Sequence, residues 1–461
     1  MNEFKNPIIP FSPHFYGIKD SWDHSAICIF AATGFFLERD TYYKGLKVLP
    51  PAAILKDDGQ KETWFRWHYH PRDLSLKQAT EEFAHLFESI IREQVGEQKV
   101  ILPLSGGLDS RTQAAALKHL GNEVNSYGYR FAGGHDETSY GKQIADACGF
   151  PFQEWEVSEG YLWGCIDQLA GINACYSEFT HPRQMAFRER YAALGDLFSL
   201  GHWGDVLFDD MGVPDDLPFD QQVEVVLKKI IKKGGQELAE AFWKAWELEG
   251  NFMDYLRARV ETLLAAIDIP HSANARIRAF KSMYWAPRWT SINLSIFEAA
   301  RPITLPYYDD RMCQFICTVP EHHLSGRQIQ IEYLKMRAPK LARISWQHHR
   351  PFNLYNYHLD KMPWNLPFKI WSKAKRTLQQ LTGQTFVQRN WELQFMGSDN
   401  ESELKKYLFR DHVTQSLLPS EIVDYFYRQF REKDPVKYSH PVSMLLTLAM
   451  KEKQEAKTFN D

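Results

Sequence analysis

The run Val100-Ile-Leu-Pro-Leu-Ser105-Gly106-Gly107-Leu108-Asp109-Ser110-Arg111 sets two hydroxyls, two glycines and a carboxylate directly after an apolar stretch. Paired glycines let a backbone turn sharply and approach a ligand closely. A helix starting there presents unpaired N–H groups and the positive end of its dipole to an anion. Ser105 and Ser110 add hydroxyl donors, and Asp109 is a carboxylate of the kind that holds Mg²⁺. The chemistry this pattern suits is phosphate binding. It is not the G-x-x-x-x-G-K-[ST] loop, because the lysine of that motif is missing.

A second loop of related make, Gly201-His202-Trp203-Gly204-Asp205, follows Asp196-Leu-Phe-Ser-Leu200. Taken alone, Asp205 reads as a surface or helix-capping aspartate. Placed after a strand and two glycines, it reads as a second acid of the same site. His68-Tyr-His70 offers two imidazoles at strand spacing with no further ligand nearby. His322-His323 follows Pro320 and reads as a turn or a helix start. The chain contains no G-x-S-x-G elbow, no H-E-x-x-H helix and no zinc-finger spacing. Of the cysteines only Cys313 and Cys317 are close, at an offset that suits one helix face rather than a zinc knuckle. Buried thiols in a reducing compartment are expected.

The elements that must position these loops alternate. Val100–Leu104, Val124–Tyr129, Phe152–Val157 and Asp196–Leu200 read as strands; Thr112–Leu120, Glu137–Cys148 and Tyr161–Gly171 read as helices. Such alternation implies an α/β fold with a parallel, doubly wound sheet whose ligands sit beyond the carboxyl ends of the strands. Before it, residues 1–74 have β character. Ser25–Ala32 and Phe35–Leu37 are strand candidates, and Pro50–Leu55, a turn at Asp57-Asp58-Gly59 and Thr63–Trp67 form a hairpin pattern. Helical period begins at Ser75, which sets the domain boundary. Beyond about residue 215 the pattern is mostly helical, at Gln221–Lys233, Gln236–Leu248, Met253–Ala266, Arg311–Val319, Ile329–Lys340 and in the last hundred residues. The expected division is 1–74, 75–355 and 356–461.

The bulk numbers exclude several classes. With 44% hydrophobic and 24% charged residues and a net charge of -4, the chain is globular and shows no polyanion-binding or membrane-surface bias. Neither nucleic acid nor membrane is an expected partner. The start Met-Asn-Glu-Phe-Lys lacks a signal-peptide core, and no apolar run approaches the ~20 residues that span a bilayer. A cytoplasmic location is the expectation. Nothing in the sequence speaks to oligomeric state.

Ser105–Ser110, in the order S-G-G-x-D-S, resembles the pyrophosphate loop of ATP pyrophosphatases, which cleave ATP to AMP and pyrophosphate. With four further stretches it resembles the asparagine synthetase family over roughly residues 30–350. Gly45-Leu-Lys-Val-Leu-Pro-Pro-Ala is similar to G-I-x-x-L-P-P-G, and Asp136-Glu137 to Gly149 is similar to D-E-x-x-Y-A-x-x-I-A-x-x-L-G. Leu200–Phe208 is similar to S-G-E-G-x-D-E-L-F, and Pro306–Met312 to P-F-L-D-x-R-V. The resemblance implies an ATP-dependent carboxylate–amine ligase with an ATP pyrophosphatase-type fold and a large helical part. Its substrates would be a small-molecule or peptide carboxylate and an amine donor, with ATP and Mg²⁺ as cofactors. By that resemblance Ser105, Gly106, Gly107, Asp109 and Ser110 hold pyrophosphate, Leu200 and Gly201 lie against the nucleotide, and Asp109 and Asp205 carry Mg²⁺.

The departures from the family matter equally. A glutaminase of this family uses an N-terminal cysteine, whereas the second residue here is Asn2 and the first cysteine is Cys28. Residues 1–74 therefore resemble a truncated glutaminase remnant, and no glutamine hydrolysis is expected. His202 replaces the glutamate of the second loop, and a histidine titrating near neutrality is a candidate base for the amine. His349 stands where a W-R-Q-K-x-x-F-like segment carries its lysine, with Arg350 or Lys340 as substitute cations. The alternative is a nucleotide-binding relative without ligase activity, acting in regulation or assembly.

Overall fold

The computed structural model describes residues 14–56, 60–134, 138–381, 394–409 and 417–458. Asn2, the turn Asp57–Gly59 and the pair Asp136-Glu137 lie outside these residues. A parallel sheet forms the centre. Its strands β5 (Val100–Pro103), β6 (Val124–Phe131), β7 (Phe152–Val157), β8 (Leu197–Ser199) and β9 (Ile303–Thr304) run in the order β7-β6-β5-β8-β9. Each neighbouring pair is parallel. The chain thus winds one way from β5 to β7 and the other way from β8 to β9. The gap at which the order reverses lies between β5 and β8, where sheets of this kind bind ligands.

Side chains of β5 alternate as a strand buried on both faces requires. Val100 and Leu102 enter one hydrophobic core and Ile101 enters another. The first core is the larger, and it takes Phe30, Phe83 and Leu445 from widely separated parts of the chain. The second, beneath Tyr127, Trp155, Phe198 and Phe297, covers the other face.

Four short strands precede the sheet: β1 (Phe15–Gly17) pairs with β2 (Leu46–Val48), and β3 (Ala53–Leu55) with β4 (Lys61–Thr63), both antiparallel. The β3–β4 pair is the expected hairpin. The strand expected at Ser25–Ala32 is instead the helix α1 (His24–Thr33), and Phe35–Leu37 is buried loop. The reason is burial: every residue of α1 from Ala26 to Thr33 is enclosed, so no polar face marks its helical period. Asp23 caps its start, its side chain accepting from Ala26 N–H at 3.0 Å, and Gly34 ends it in the left-handed region.

The helix α2 (Leu76–Val95) begins at a capping box, where Ser75 Oγ accepts from Gln78 N–H and Gln78 Oε1 accepts from Ser75 N–H. The helices α3 (Leu108–Leu120), α4 (Thr138–Cys148) and α5 (Tyr161–Asn173) follow β5, β6 and β7. After β8 come the short α6 (Gly204–Leu207) and then α7 (Phe219–Ile230), α8 (Gly235–Ala245), α9 (Phe252–Ala265) and α10 (Ala273–Phe280). The chain continues from α10 into a π-helix, Lys281–Thr290, and from there into α11 (Ser291–Glu298). Pro287 inside the π-helix has no N–H to give, and Ser291 N–H donates five residues back to Ala286.

The helix Pro435–Thr458 returns to the beginning of the chain. There His440 Nε2–H donates to Ala31 O at 2.9 Å. The start of α8 packs on the same end of α1, where a Cβ on Gly235 would stand 2.3 Å from Ala32 O. Among the described residues no helix is long and apolar enough to cross a membrane.

Candidate active site

The turn after β5 delivers Ser105–Gly107 to the start of α3. Gly107 is the N-cap and provides no side-chain cap, so the first-turn N–H groups of α3 are not taken by a capping side chain. Gly107 N–H donates to Ser105 Oγ, and Ser105 N–H donates to Ser110 Oγ, each at 3.3 Å. The two hydroxyl oxygens are also 3.3 Å apart. Backbone amides and hydroxyls therefore converge on one spot, which is what an anion cradle needs. Gly106 is required by its neighbours, since a Cβ there would meet Gln347 Oε1 at 2.5 Å. Arg111 is fully buried and holds the turn from below, donating to the carbonyls of Gly106 (3.3 Å), Ile344 (3.0 Å) and Ser345 (3.0 Å). Burial lowers its guanidinium to about 10.

Leu200–Asp205, after β8, packs against this turn. A Cβ on Gly201 would stand 3.1 Å from Asp109 Cβ, and one on Gly204 would stand 2.3 Å from Asp109 Oδ1. Trp203 has φ +73°, a conformation that costs a non-glycine residue energy, and its Nε1–H donates to Ser282 Oγ at 3.0 Å. Behind the loop, buried Arg278 grips Glu321 through two bonds of 2.6 and 2.7 Å. It also donates to Val206 O at 3.2 Å and Asp209 O at 2.8 Å, which braces the turn carrying Asp205.

Asp109 accepts from the guanidinium of Arg327 and from Gln330 Nε2 at 3.0 Å. Burial raises its carboxyl above the ordinary value; Arg327 opposes that rise and Asp205 adds to it. Among the described residues no group of three or more His, Cys, Asp or Glu side chains forms a metal cage. Mg²⁺ does not demand one: it takes one or two carboxylates together with substrate phosphates. Asp109 and Asp205 line the same space and fit that role.

That space is a cavity of about 530 Å³, within the range of small-molecule sites. It gathers Ser105, Gly107, Asp109, Ser110, Leu200, Gly201, His202 and Asp205. Gly106 sits in the turn behind it. His349 and Arg350 do not line it, nor does Lys340. His349 Nδ1 instead pairs with Asp360 Oδ2 at 3.0 Å, and its ring lies 4.4 Å from that of Trp346. His202 is present, but burial pushes it down to about 4, so it is neutral rather than titrating at pH 7. Among the described residues its Nδ1 has no partner. The segment Asp309–Arg311 is a helix cap, with Asp309 Oδ1 accepting from Arg311 N–H and Nε–H.

Several lining residues carry no local sequence signal: Arg183, Gln184, Lys281, Trp285, Trp289 and Thr290. Lys281 is the notable one. Its ammonium lies 5.2 Å from the Trp285 ring and 5.8 Å from the Trp203 ring, and burial lowers it to about 8.

Residues 82–188 match the asparagine synthase family model. The match takes in most of α2, the cradle and the strands β5 to β7; the Gly201–Asp205 loop lies beyond it. No curated protein matches the chain. Among solved structures, the NAD⁺ synthetase from Burkholderia pseudomallei is similar at 14% identity, over 59% of this chain and 94% of that one. The TM-score is 0.16, a superposition too loose to bear on fold or function.

Proposed function

We propose that the chain is an ATP-dependent ligase of asparagine synthetase type, which activates a carboxylate as its adenylate and passes the acyl group to an amine. The observation that carries this reading is the uncapped start of α3 with its Ser105–Ser110 turn, set beside Asp205 at the reversal point of the sheet. The asparagine synthase match over residues 82–188 supports it.

In the first step a carboxylate oxygen of the substrate attacks the α-phosphorus of ATP. The bond from that phosphorus to the bridging oxygen breaks, and pyrophosphate leaves with the electron pair. Ser105, Ser110 and the α3 amides receive that charge, as preorganised donors aimed at developing negative charge do. Asp109 and Asp205 would hold Mg²⁺, which would supply further neutralisation of phosphate charge. In the second step the amine nitrogen attacks the acyl carbon, the carbon–oxygen bond to AMP breaks, and the amine gives up a proton. Neutral His202 keeps the pocket free of an added positive charge, but at about 4 it is a weak base for that proton. The test is pyrophosphate release that depends on an added carboxylate, across amino acids, hydroxy acids and peptides. No release across the panel, or release that survives Asp109→Ala, rejects the reading.

Two observations favour the second reading, a nucleotide-binding protein without ligase activity: His349 is paired with Asp360 outside the cavity, and Asp109 is already held by Arg327. Calorimetric ATP binding without pyrophosphate release would select it. Neither reading calls for glutamine hydrolysis, and glutamate release from glutamine by the purified protein would contradict both.

A further inference from the structure

The stretch 361–381 sets basic charge beside exposed apolar surface. It holds Lys361, Lys369, Lys373, Lys375 and Arg376 and no aspartate or glutamate, in a chain whose net charge is -4. Most of it is the helix Leu366–Leu381. Leu366, Ile370, Ala374, Leu378 and Leu381 recur there at helical spacing, with Trp371 at the edge of the row. Lys369, Lys373 and Arg376 form the row alongside.

A surface helix of a globular protein ordinarily turns its apolar row to the core. This one does the reverse. Leu366, Ile370 and Trp371 are 39%, 60% and 58% exposed, and Met362 and Trp364, just before the helix, are 63% and 62% exposed. The covered neighbours are Asn365, which is buried, and Phe368, which is half-buried. The start of the helix is also tied down. Asn365 Nδ2–H donates to Asp360 Oδ1 at 3.1 Å, and the other oxygen of Asp360 is the partner of His349. Lys369 N–H donates to Asn365 O at 3.0 Å. The apolar row is therefore presented outward from a fixed root, and His349 serves that root rather than the cavity.

Exposed apolar surface gathered in one place marks a surface that binds something. Charge and length say what. At 16 residues, and with lysines in its middle, the helix cannot span a bilayer, which takes about 20 apolar residues. A basic row beside an apolar one, with tryptophan at the boundary, suits the interface of an anionic lipid surface. There the lysine stems follow the apolar surface while their ammonium groups reach the headgroups. A second copy of this patch would bring the same cations against one another, which opposes self-association. Whole-chain composition does not show such a face, because acids elsewhere outweigh it.

We propose that residues 361–381 are an interfacial anchor that lays the chain on an anionic membrane surface. Leu366, Ile370 and Trp371 enter the boundary of the acyl chains, and Lys361, Lys369 and Lys373 meet the headgroups. The proposal is independent of the ligase reading.

The experiment is co-sedimentation of the full chain with vesicles of POPC alone and of POPC with 30% POPG, at 50 and 500 mM NaCl. Binding to the anionic vesicles should be tighter than to POPC by about tenfold or more at low salt, with most of that difference lost at high salt. Ile370→Glu together with Trp371→Glu should lower it by about tenfold or more. Lys361→Gln together with Lys369→Gln keeps every apolar side chain, and should lower binding to the anionic vesicles several-fold while leaving POPC binding as it is. All four positions are exposed, so unchanged melting temperatures separate loss of the surface from loss of the fold. No binding to either vesicle overturns the proposal, as does equal binding to both or binding that survives the glutamate pair. A dimer in analytical ultracentrifugation that the glutamate pair dissolves would overturn it by giving the row to a second copy. Capture on immobilised polyglutamate, by protein that ignores the vesicles, would overturn it by giving the row to an acidic protein.

Discussion

Arg327 gives its guanidinium to the carboxylate of Asp109, the acid of the Ser105–Ser110 turn. It does so from a left-handed backbone (φ +63°) directly after Gly326 (φ +66°), a strained placement for a side chain of this size. Arg327 is buried, and Asp109 leads the acids that offset its charge, ahead of Asp205 and Asp209. Asp109 is therefore asked to serve two cations, the arginine beneath it and the Mg²⁺ assigned to it. Asp109→Asn removes the acid from both. Removing one partner of a fully buried pair costs about 3–5 kcal/mol, and this part-buried pair should cost less. The variant should melt at a lower temperature and bind Mg·ATP at least tenfold more weakly. A lowered melting temperature with unaltered affinity would show that Asp109 serves Arg327 alone.

Gly204→Ala probes the same carboxylate from the other loop. The added methyl would stand 2.3 Å from Asp109 Oδ1 and 2.7 Å from its Cγ, so the carboxylate must move. Mg·ATP affinity should fall about tenfold, with a stability loss near the 1–3 kcal/mol usual for overpacking. Calorimetry and thermal melts separate the two effects, and wild-type affinity would mean that the carboxylate position is unimportant for the nucleotide.

Glu321→Gln tests the brace behind Asp205. It leaves Arg278, fully enclosed, with the carbonyls of Val206 and Asp209 but no counter-charge. The expected destabilisation is about 3 kcal/mol or more, read by chemical denaturation. Nucleotide affinity should fall along with it, because the same guanidinium fixes the turn that carries Asp205.

How much of this was legible beforehand follows from how local each signal is. A glycine pair between an apolar run and a helix is contiguous, so the Ser105–Ser110 turn, β5 and α3 can be read from one stretch. The facing loop at Gly201–Asp205 is legible for the same reason. Lys281, Arg327 and Gln330 are not, because each reaches the site from the helical half, where nothing in the neighbouring residues distinguishes a cavity wall from ordinary packing. Pro287 lies inside the helix Lys281–Thr290, and a lone proline there does not mark a binding face. The misread strand at Ser25–Ala32 has a different cause: a helix buried on all sides shows only an apolar run.

Acid should weaken the fold through His440. Burial lowers its imidazole to about 3, while its Nε2–H is given to Ala31 O. The folded-state value lies below the ordinary 6.5, so on acidification the unfolded chain takes up a proton that the folded one refuses. Stability is unaffected by this group above pH 6.5 and is lost as pH falls toward 3, by about 1.4 kcal/mol per unit. His202, at about 4, adds to the loss in the same direction. Denaturation at pH 7.5, 6 and 5 should show the decline, and His440→Gln, which keeps a donor but does not titrate, should flatten it. An identical slope in the variant would assign the loss to other groups.

The seat of His440 also bears on how the molecule is made. The helix α1 is apolar nearly throughout, and part of what encloses it belongs to Pro435–Thr458. A ribosome adding about 5–20 residues each second needs roughly 20 to 80 seconds to travel from one to the other. For that interval α1 is outside the tunnel without its full cover, a sticky segment of an unfinished chain. Production in cells should therefore lean on chaperones that greet nascent apolar helices, and a stall late in translation should be more damaging than one after the sheet is complete.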